Sequence, residues 1–149
     1  MTDRRPTQQV IINVDLTSRK VWQEPVPAED AADYIGGRGI NAKILYERVP
    51  KGLDPMSPDN LLIFGTGALN GTLAPCSGRM TITTKSPATG LYLKSSSGGH
   101  LGAEMKRAGV DYLVVSGASE TPVYLWIQDG EVEIRPADHL WGCGTRETD

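Results

Sequence analysis

Two glycine clusters carry the most suggestive chemistry in this chain of 149 residues: Gly36-Gly37-Arg38-Gly39 and Ser95-Ser96-Ser97-Gly98-Gly99. Each stands directly in front of a segment patterned as a helix. A helix N-terminus presents unpaired backbone N–H groups and partial positive charge, so it receives anions. Glycine lets a backbone come close to a ligand. Arg38 adds a planar guanidinium suited to phosphate, and the second cluster adds three hydroxyls beside Gly98 and Gly99. A third feature is the run Gly65–Arg79 (GTGALNGTLAPCSGR), built of small residues and uncharged until Arg79. A loop that long inside a compact domain is usually functional when ordered, and Arg79 reads either as a guanidinium turned back to a ligand held by it or as a solvated edge residue. The chemistry these residues share is the binding of an anion. Paired glycines also serve tight turns and close packing, and neither cluster has a Walker lysine or a G-x-G-x-x-G following a strand.

Nucleophilic and metal chemistry find less support. Cys76 and Cys143 are far apart with no C-x-x-C, which excludes a disulfide framework and a four-thiolate site within the chain. Cys76 has no base near it in sequence and reads as a small packing residue. His100 and His139 are isolated, and no paired carboxylates, Ser–His–Asp set or metal-ligand spacing occurs. Trp22, Trp126 and Trp141 read as core or interface residues. The net charge of -3 and the pI near 5.4 supply no basic field for nucleic acid or an anionic membrane. No apolar stretch approaches the ~20 residues of a membrane span, and the opening MTDRRPTQQ has no apolar signal region. A cytoplasmic protein is expected, and at this length one domain, residues 1–149.

The elements that must position these residues follow from pattern. Gln8–Asp15 and Lys20–Glu24 read as a β-hairpin ended by Pro25 and Pro27. Ala28–Ile35 reads as a short helix with Glu29 and Asp30 in its first turn, and Ile40–Val49 as a second with apolar residues at 40, 44, 45 and 49. Leu61–Phe64 predicts a strand buried on both faces. Arg79–Lys85 and Leu91–Lys94 alternate and are joined by a turn ending at Gly90. Ser95–Gly99 then breaks the chain before a helix over His100–Ala108, which Gly109 caps. Asp111–Ser116 is a strand, and Val123–Gln128 with Val132–Arg135 forms a hairpin on Asp129-Gly130. Two strands, a double glycine and a helix thus occur at 8–49 and again at 79–108. The expected fold is α+β, with largely antiparallel sheets in two related strand-strand-helix units.

Taken together, GGRGINAKILYERVPKGLDPMSPDN, LLIFGTGALNGTLAPCSGR, TKSPATG, SSGGHLGAEMKRAGVDYLVVSG and PVYLWIQDGEVEIRPADHLWG, in this order, resemble the N-terminal domain of the aldehyde ferredoxin oxidoreductase family. The resemblance runs from about Val10 to the last residue. It implies a tungsten enzyme, or in some relatives a molybdenum one, that oxidises aldehydes to carboxylic acids and passes electrons through an iron–sulfur cluster to ferredoxin. It implies an N-terminal α+β body of two related sheets that forms the base for a bis-molybdopterin cofactor, whose dithiolene sulfurs hold the metal. The family arginine that contacts pterin phosphate falls on Arg79. The family's Asn-x-Gly contact falls on Ser96-Ser97-Gly98, so Gly98 is kept and Ser96 replaces the asparagine, offering one hydroxyl where an amide offers a donor and an acceptor. Gly99 and Arg38 complete the expected cofactor contacts. Family members are several times longer, and their cluster cysteines, aldehyde-site acids and remaining pterin contacts have no counterpart here. The chain is therefore expected to be inactive alone and to work with the rest of the enzyme or a large catalytic subunit. The alternative is a non-catalytic small subunit or assembly module acting with a larger partner, and either can self-associate.

Overall fold

The computed structural model describes residues 8–148; residues 1–7, read above for a leader, and residue 149 lie outside it. In chain order the elements are β1 (Val10–Asp15), β2 (Lys20–Pro25), α1 (Ala28–Tyr34), α2 (Arg38–Arg48), β3 (Leu62–Gly65), β4 (Met80–Lys85) and β5 (Tyr92–Ser97). Then come α3 (Leu101–Arg107), β6 (Tyr112–Ser116), β7 (Val123–Gln128), β8 (Glu131–Pro136), a 3₁₀ turn at Asp138–Leu140 and α4 (Thr145–Thr148). The expected α+β class is found. β1 to β6 form a six-stranded sheet in the order β2-β1-β6-β3-β4-β5, antiparallel except where β1 meets β6. β7 and β8 form a two-stranded ribbon. The repeated pattern survives in that order, since β2-β1-β6 and β5-β4-β3 mirror each other. Strand direction breaks the mirror, because β3 and β4 are antiparallel where β1 and β6 are parallel.

The sheet has two buried faces, and alternation along its strands separates them. Ile11, Ile63, Tyr112 and Val114 pack beneath α2 through Ile40, Ile44 and Leu45. Their neighbours Ile12, Val14 and Leu113 point the other way, onto Met105 of α3 and the inner residues Leu125, Ile127, Val132 and Ile134 of the β7–β8 ribbon. That ribbon turns on Asp129 (φ 51°) and Gly130 (φ 85°), both left-handed as a type I′ turn requires. Gly109 ends α3 as expected: at φ 84° its N–H bonds the Lys106 carbonyl, and the Val110 N–H bonds that of Met105.

Several expectations are corrected. β3 is not buried on both faces: Ile63 is, but Leu62 is exposed, because the α3–ribbon layer leaves its end of the strand uncovered. The break at Gly36–Gly39 is only two residues long, since Arg38 and Gly39 are already helical. Ser95, Ser96 and Ser97 are not a loop but the second half of β5, where Lys94, Ser95, Ser96 and Ser97 pair with Thr83, Ile82, Thr81 and Met80. As an edge strand, β5 has no apolar layer over its outer half, so it needs no apolar alternation to form. Of the two places expected for the tryptophans, core or interface, the core is excluded, since all three stand partly or largely in solvent.

Candidate functional site

Register brings the sequence-predicted residues to one end of the sheet. Gly65, the last residue of β3, pairs with Tyr112 on one side and Thr81 on the other, and Thr81 pairs with Ser96. The end of β3, the start of β4, the end of β5 and the start of β6 therefore form one rim. α2 begins over the same rim, because its Asn41 amide reaches across β3 and β4. Asn41 Nδ2 donates to the carbonyls of Ile63 (3.4 Å) and Thr81 (3.1 Å) and to Thr83 Oγ1 (3.3 Å). Arg38, Arg79, Ser96, Gly98 and Gly99 thus lie at one edge although they come from three separated segments.

The loop from Thr66 to Arg79 is held down at both ends. The Thr66 N–H and hydroxyl both donate to the Asp111 carbonyl, at 2.9 and 3.0 Å. The Asp111 carboxylate accepts from the Val10 N–H (2.8 Å) and pairs with Lys106 Nζ (2.5 Å), so one buried acid ties β1, α3 and the root of the loop together. Farther along, the Gly67 N–H donates to Asn70 Oδ1, and Gly102 of α3 lies against the Asn70 amide. Gly78 lies against the Gly99 carbonyl. The loop is packed onto α3 and ordered by these contacts, as the sequence suggested.

The two glycine breaks have different states. Gly37 is left-handed (φ 52°) and backs onto Gly67; its N–H donates to both the Thr66 carbonyl and the Tyr112 hydroxyl at 3.0 Å. A methyl on Gly36 would stand 3.3 Å from the Ala68 nitrogen and from Tyr112 Oη. The cradle expected at this break is filled by the protein's own atoms, and only the exposed Arg38 side chain remains available there. Tyr112 is the residue that sequence reasoning missed: it reads as an ordinary strand residue, yet its hydroxyl joins the break to Gln9 Oε1 at 3.1 Å. Burial pushes its phenol well above the ordinary value, against the smaller opposite pull of the Gly37 N–H, so it remains a neutral donor.

The second break is open. A Cβ on Gly98 or Gly99 would meet nothing within 4 Å, and Gly99 is left-handed (φ 84°). Ser96 is exposed on β5, and Arg79 is exposed with no hydrogen-bond or ion-pair partner among the described residues. His100 is exposed and precedes α3 without a side-chain cap. Cys76, expected to pack, is exposed at φ 59°. A bare backbone beside an unpaired guanidinium is a donor set for an anionic group such as phosphate. No cluster of His, Cys, Asp or Glu able to hold a metal occurs among the described residues. No helix among them is long and apolar enough to cross a membrane.

The family model described as "Aldehyde ferredoxin oxidoreductase, N-terminal domain" matches residues 11–149. The tungsten-containing aldehyde ferredoxin oxidoreductase of Pyrococcus furiosus is 43% identical over 138 residues, covering 93% of this chain and 23% of that protein. The enzyme of the same description from Thermococcus kodakarensis is 44% identical over 138 residues, with the same coverage. A solved structure, the active site complex BamBC of benzoyl coenzyme A reductase in complex with 1,5-dienoyl-CoA, superposes with a TM-score of 0.90 at 42% identity. The match covers 97% of this chain and 22% of that one. The chain spans under a quarter of the length of the relatives it matches.

Proposed function

Because the chain belongs to the aldehyde ferredoxin oxidoreductase family, matching its N-terminal domain, we propose that it is the pterin-cofactor-binding part of a tungsten or molybdenum oxidoreductase. The enzyme as a whole would oxidise aldehydes to carboxylic acids and pass electrons to ferredoxin through an iron–sulfur cluster carried outside residues 1–149. The observation that carries the reading is the open rim, where the unpartnered Arg79 stands beside the bare backbone of Gly98 and Gly99.

The residues divide the work of holding an anionic cofactor. Arg79 neutralises phosphate through a charge-assisted contact. Gly98 and Gly99 let the organic part lie directly against the main chain, where any side chain would intervene. The Ser96 hydroxyl supplies one further hydrogen bond from the strand, and Arg38 adds positive charge from the start of α2. The pose is fixed because the rim beneath these residues is packed and hydrogen-bonded. When bound, the cofactor's metal supplies the oxidation chemistry; this part of the protein supplies grip and orientation. By itself it is not expected to turn over aldehyde.

The test is made on the enzyme purified with its remaining polypeptide, using Arg79→Ala and Gly98→Ala. Bound metal is measured by elemental analysis and pterin by fluorescence after oxidation. Arg79→Ala removes a charge-assisted bond of about 1.5–3 kcal/mol, so retained cofactor is expected to fall at least tenfold. Gly98→Ala adds a methyl into empty space with no left-handed φ to strain. It should also lose cofactor while leaving the melting temperature unchanged. Wild-type cofactor content in both variants would refute the reading.

A further inference from the structure

The charges of this chain are segregated. It carries 18 acidic residues, yet none lies between Asp59 and Glu104, a stretch that supplies β3, β4, β5, the whole site loop and the start of α3. The cations elsewhere in the fold are mostly engaged. Lys43 pairs with Glu47 and Asp30, Arg48 with Glu24, Lys106 with Asp111, Arg107 with Glu104 and Arg135 with Glu133. Within the acid-free stretch, Lys85 is bonded to the Leu53 carbonyl. Lys94 is left exposed, with no carboxylate within 4 Å and no hydrogen-bond partner among the described residues.

Its place in the register gives Lys94 a direction. Along β5, Tyr92, Lys94 and Ser96 share one face, since side chains alternate. Lys94 pairs with Thr83 and Ser96 with Thr81. Thr83 is the residue whose hydroxyl Asn41 of α2 reaches, so this is the face that α2 covers. Tyr92 walls a groove of about 630 Å³ whose other side is α2, through Ala42, Leu45 and Tyr46. Arg38 stands one turn before Ala42 on that stripe. Lys94 therefore lies on the α2-facing side of β5, between Tyr92, which walls the groove, and Ser96 at the rim.

We propose that Lys94 is a further anchor for the anionic cofactor, holding it from the α2-facing side of β5 while Arg79 holds it from the end of the sheet. The inference rests on the cofactor-binding reading above and adds a contact to it. Lys94 has no carboxylate within 4 Å to satisfy it, and Arg79, where a phosphate would be seated, belongs to the same acid-free stretch of chain.

The experiment uses the holoenzyme with Lys94→Met, Lys94→Arg, Arg79→Ala and, as a control at the far end of the groove, Lys51→Met. Release of metal and oxidised pterin is followed during dialysis at low and at high ionic strength, and folding is checked by circular dichroism. At low salt Lys94→Met should release cofactor about three- to fivefold faster than wild type, as expected for one exposed charge pair. The difference should vanish at high salt, where the interaction is screened. Lys94→Arg should restore retention, and Lys51→Met should match wild type. Wild-type release by Lys94→Met at every ionic strength, with fast release by Arg79→Ala, overturns the role of Lys94 and leaves the cofactor reading standing. Retention by Arg79→Ala as well, together with wild-type cofactor content in Gly98→Ala, overturns both. Faster release that is independent of salt and not rescued by arginine assigns Lys94 a structural role and also overturns the proposal.

Discussion

Substituting Gly65 by alanine tests whether the rim is assembled as described. Gly65 closes β3 and faces Asn41, and a methyl there would stand 2.1 Å from Asn41 Oδ1 and 2.8 Å from its Cγ. The amide cannot step aside cheaply. Asn41 is fully buried, and its Nδ2 is committed to Ile63, Thr81 and Thr83. Overpacking of a filled site costs about 1–3 kcal/mol, and loosening the longer of those hydrogen bonds adds roughly 1 kcal/mol. The expected loss is about 3 kcal/mol, or a fall of roughly 6–12 °C in melting temperature at this chain length. The assay is urea unfolding followed by circular dichroism and tryptophan fluorescence, run as a double-mutant cycle with Asn41→Ala. Once Asn41 is truncated the obstacle is gone, so Gly65→Ala should then cost under about 0.5 kcal/mol, leaving a coupling of at least 2 kcal/mol. Equal costs in the two backgrounds would refute the steric argument, and with it the idea that Asn41 fixes where α2 sits over the rim.

Tyr112→Phe removes the hydroxyl shared by the Gly37 N–H and Gln9. Because Gly37 keeps its bond to the Thr66 carbonyl, the loss should be modest, about 1 kcal/mol by denaturant melts; a loss above about 3 kcal/mol would mean the hydroxyl does more than join these segments. Stability should also fall as pH drops below the ordinary glutamate value of 4.5. Burial raises the Glu24 carboxyl, but hydrogen bonds from Arg48 and Asn13 and the Arg48 charge outweigh it and hold the folded-state pKa below normal. Such a group stabilises the fold above its unfolded pKa and loses that contribution as pH falls through the folded one. Melts of Glu24→Gln across that range should show a flatter pH dependence than wild type, and an unchanged slope would remove Glu24 from the explanation.

What the sequence made legible was whatever rests on local pattern. The paired strands, α1, α2 and α3, the Asp129-Gly130 turn and the Gly109 cap all follow from alternation, helical spacing and glycine at left-handed positions. Ser95–Ser97 misled because serine and glycine together resemble a loop, whereas an edge strand with a solvent-facing side has no apolar face to declare itself. Leu62 misled because a continuous apolar run says nothing about where the covering layer stops. The residues expected at the site did come to one end of the sheet, and long-range pairing brought them there. The supports beneath them were invisible: Asn41 and Tyr112 act across residues distant in the chain, and nothing in the local sequence distinguishes them from an ordinary helix or strand position.

The rim combines two kinds of construction that are usually traded against each other. Its floor is rigid: Asn41 bridges two strands, Asp111 binds three elements, and the Gly36–Gly37 break is closed against the Gly67 backbone. Its upper surface is left unsatisfied, with bare glycines, an exposed serine and cations that no acid neutralises. A surface loop evolving only for solubility would be expected to mix both signs of charge, and an acid-free stretch that long does not. On the proposed reading, the lack of acids around Arg79 and Lys94 in the sequence leaves their charge free for a ligand and spares it the cost of breaking an ion pair on binding. The rigid floor means that little ordering entropy is lost when the ligand arrives. On the proposed reading the two features work together: the floor that stabilises the fold also holds the unsatisfied surface in place for an anionic group.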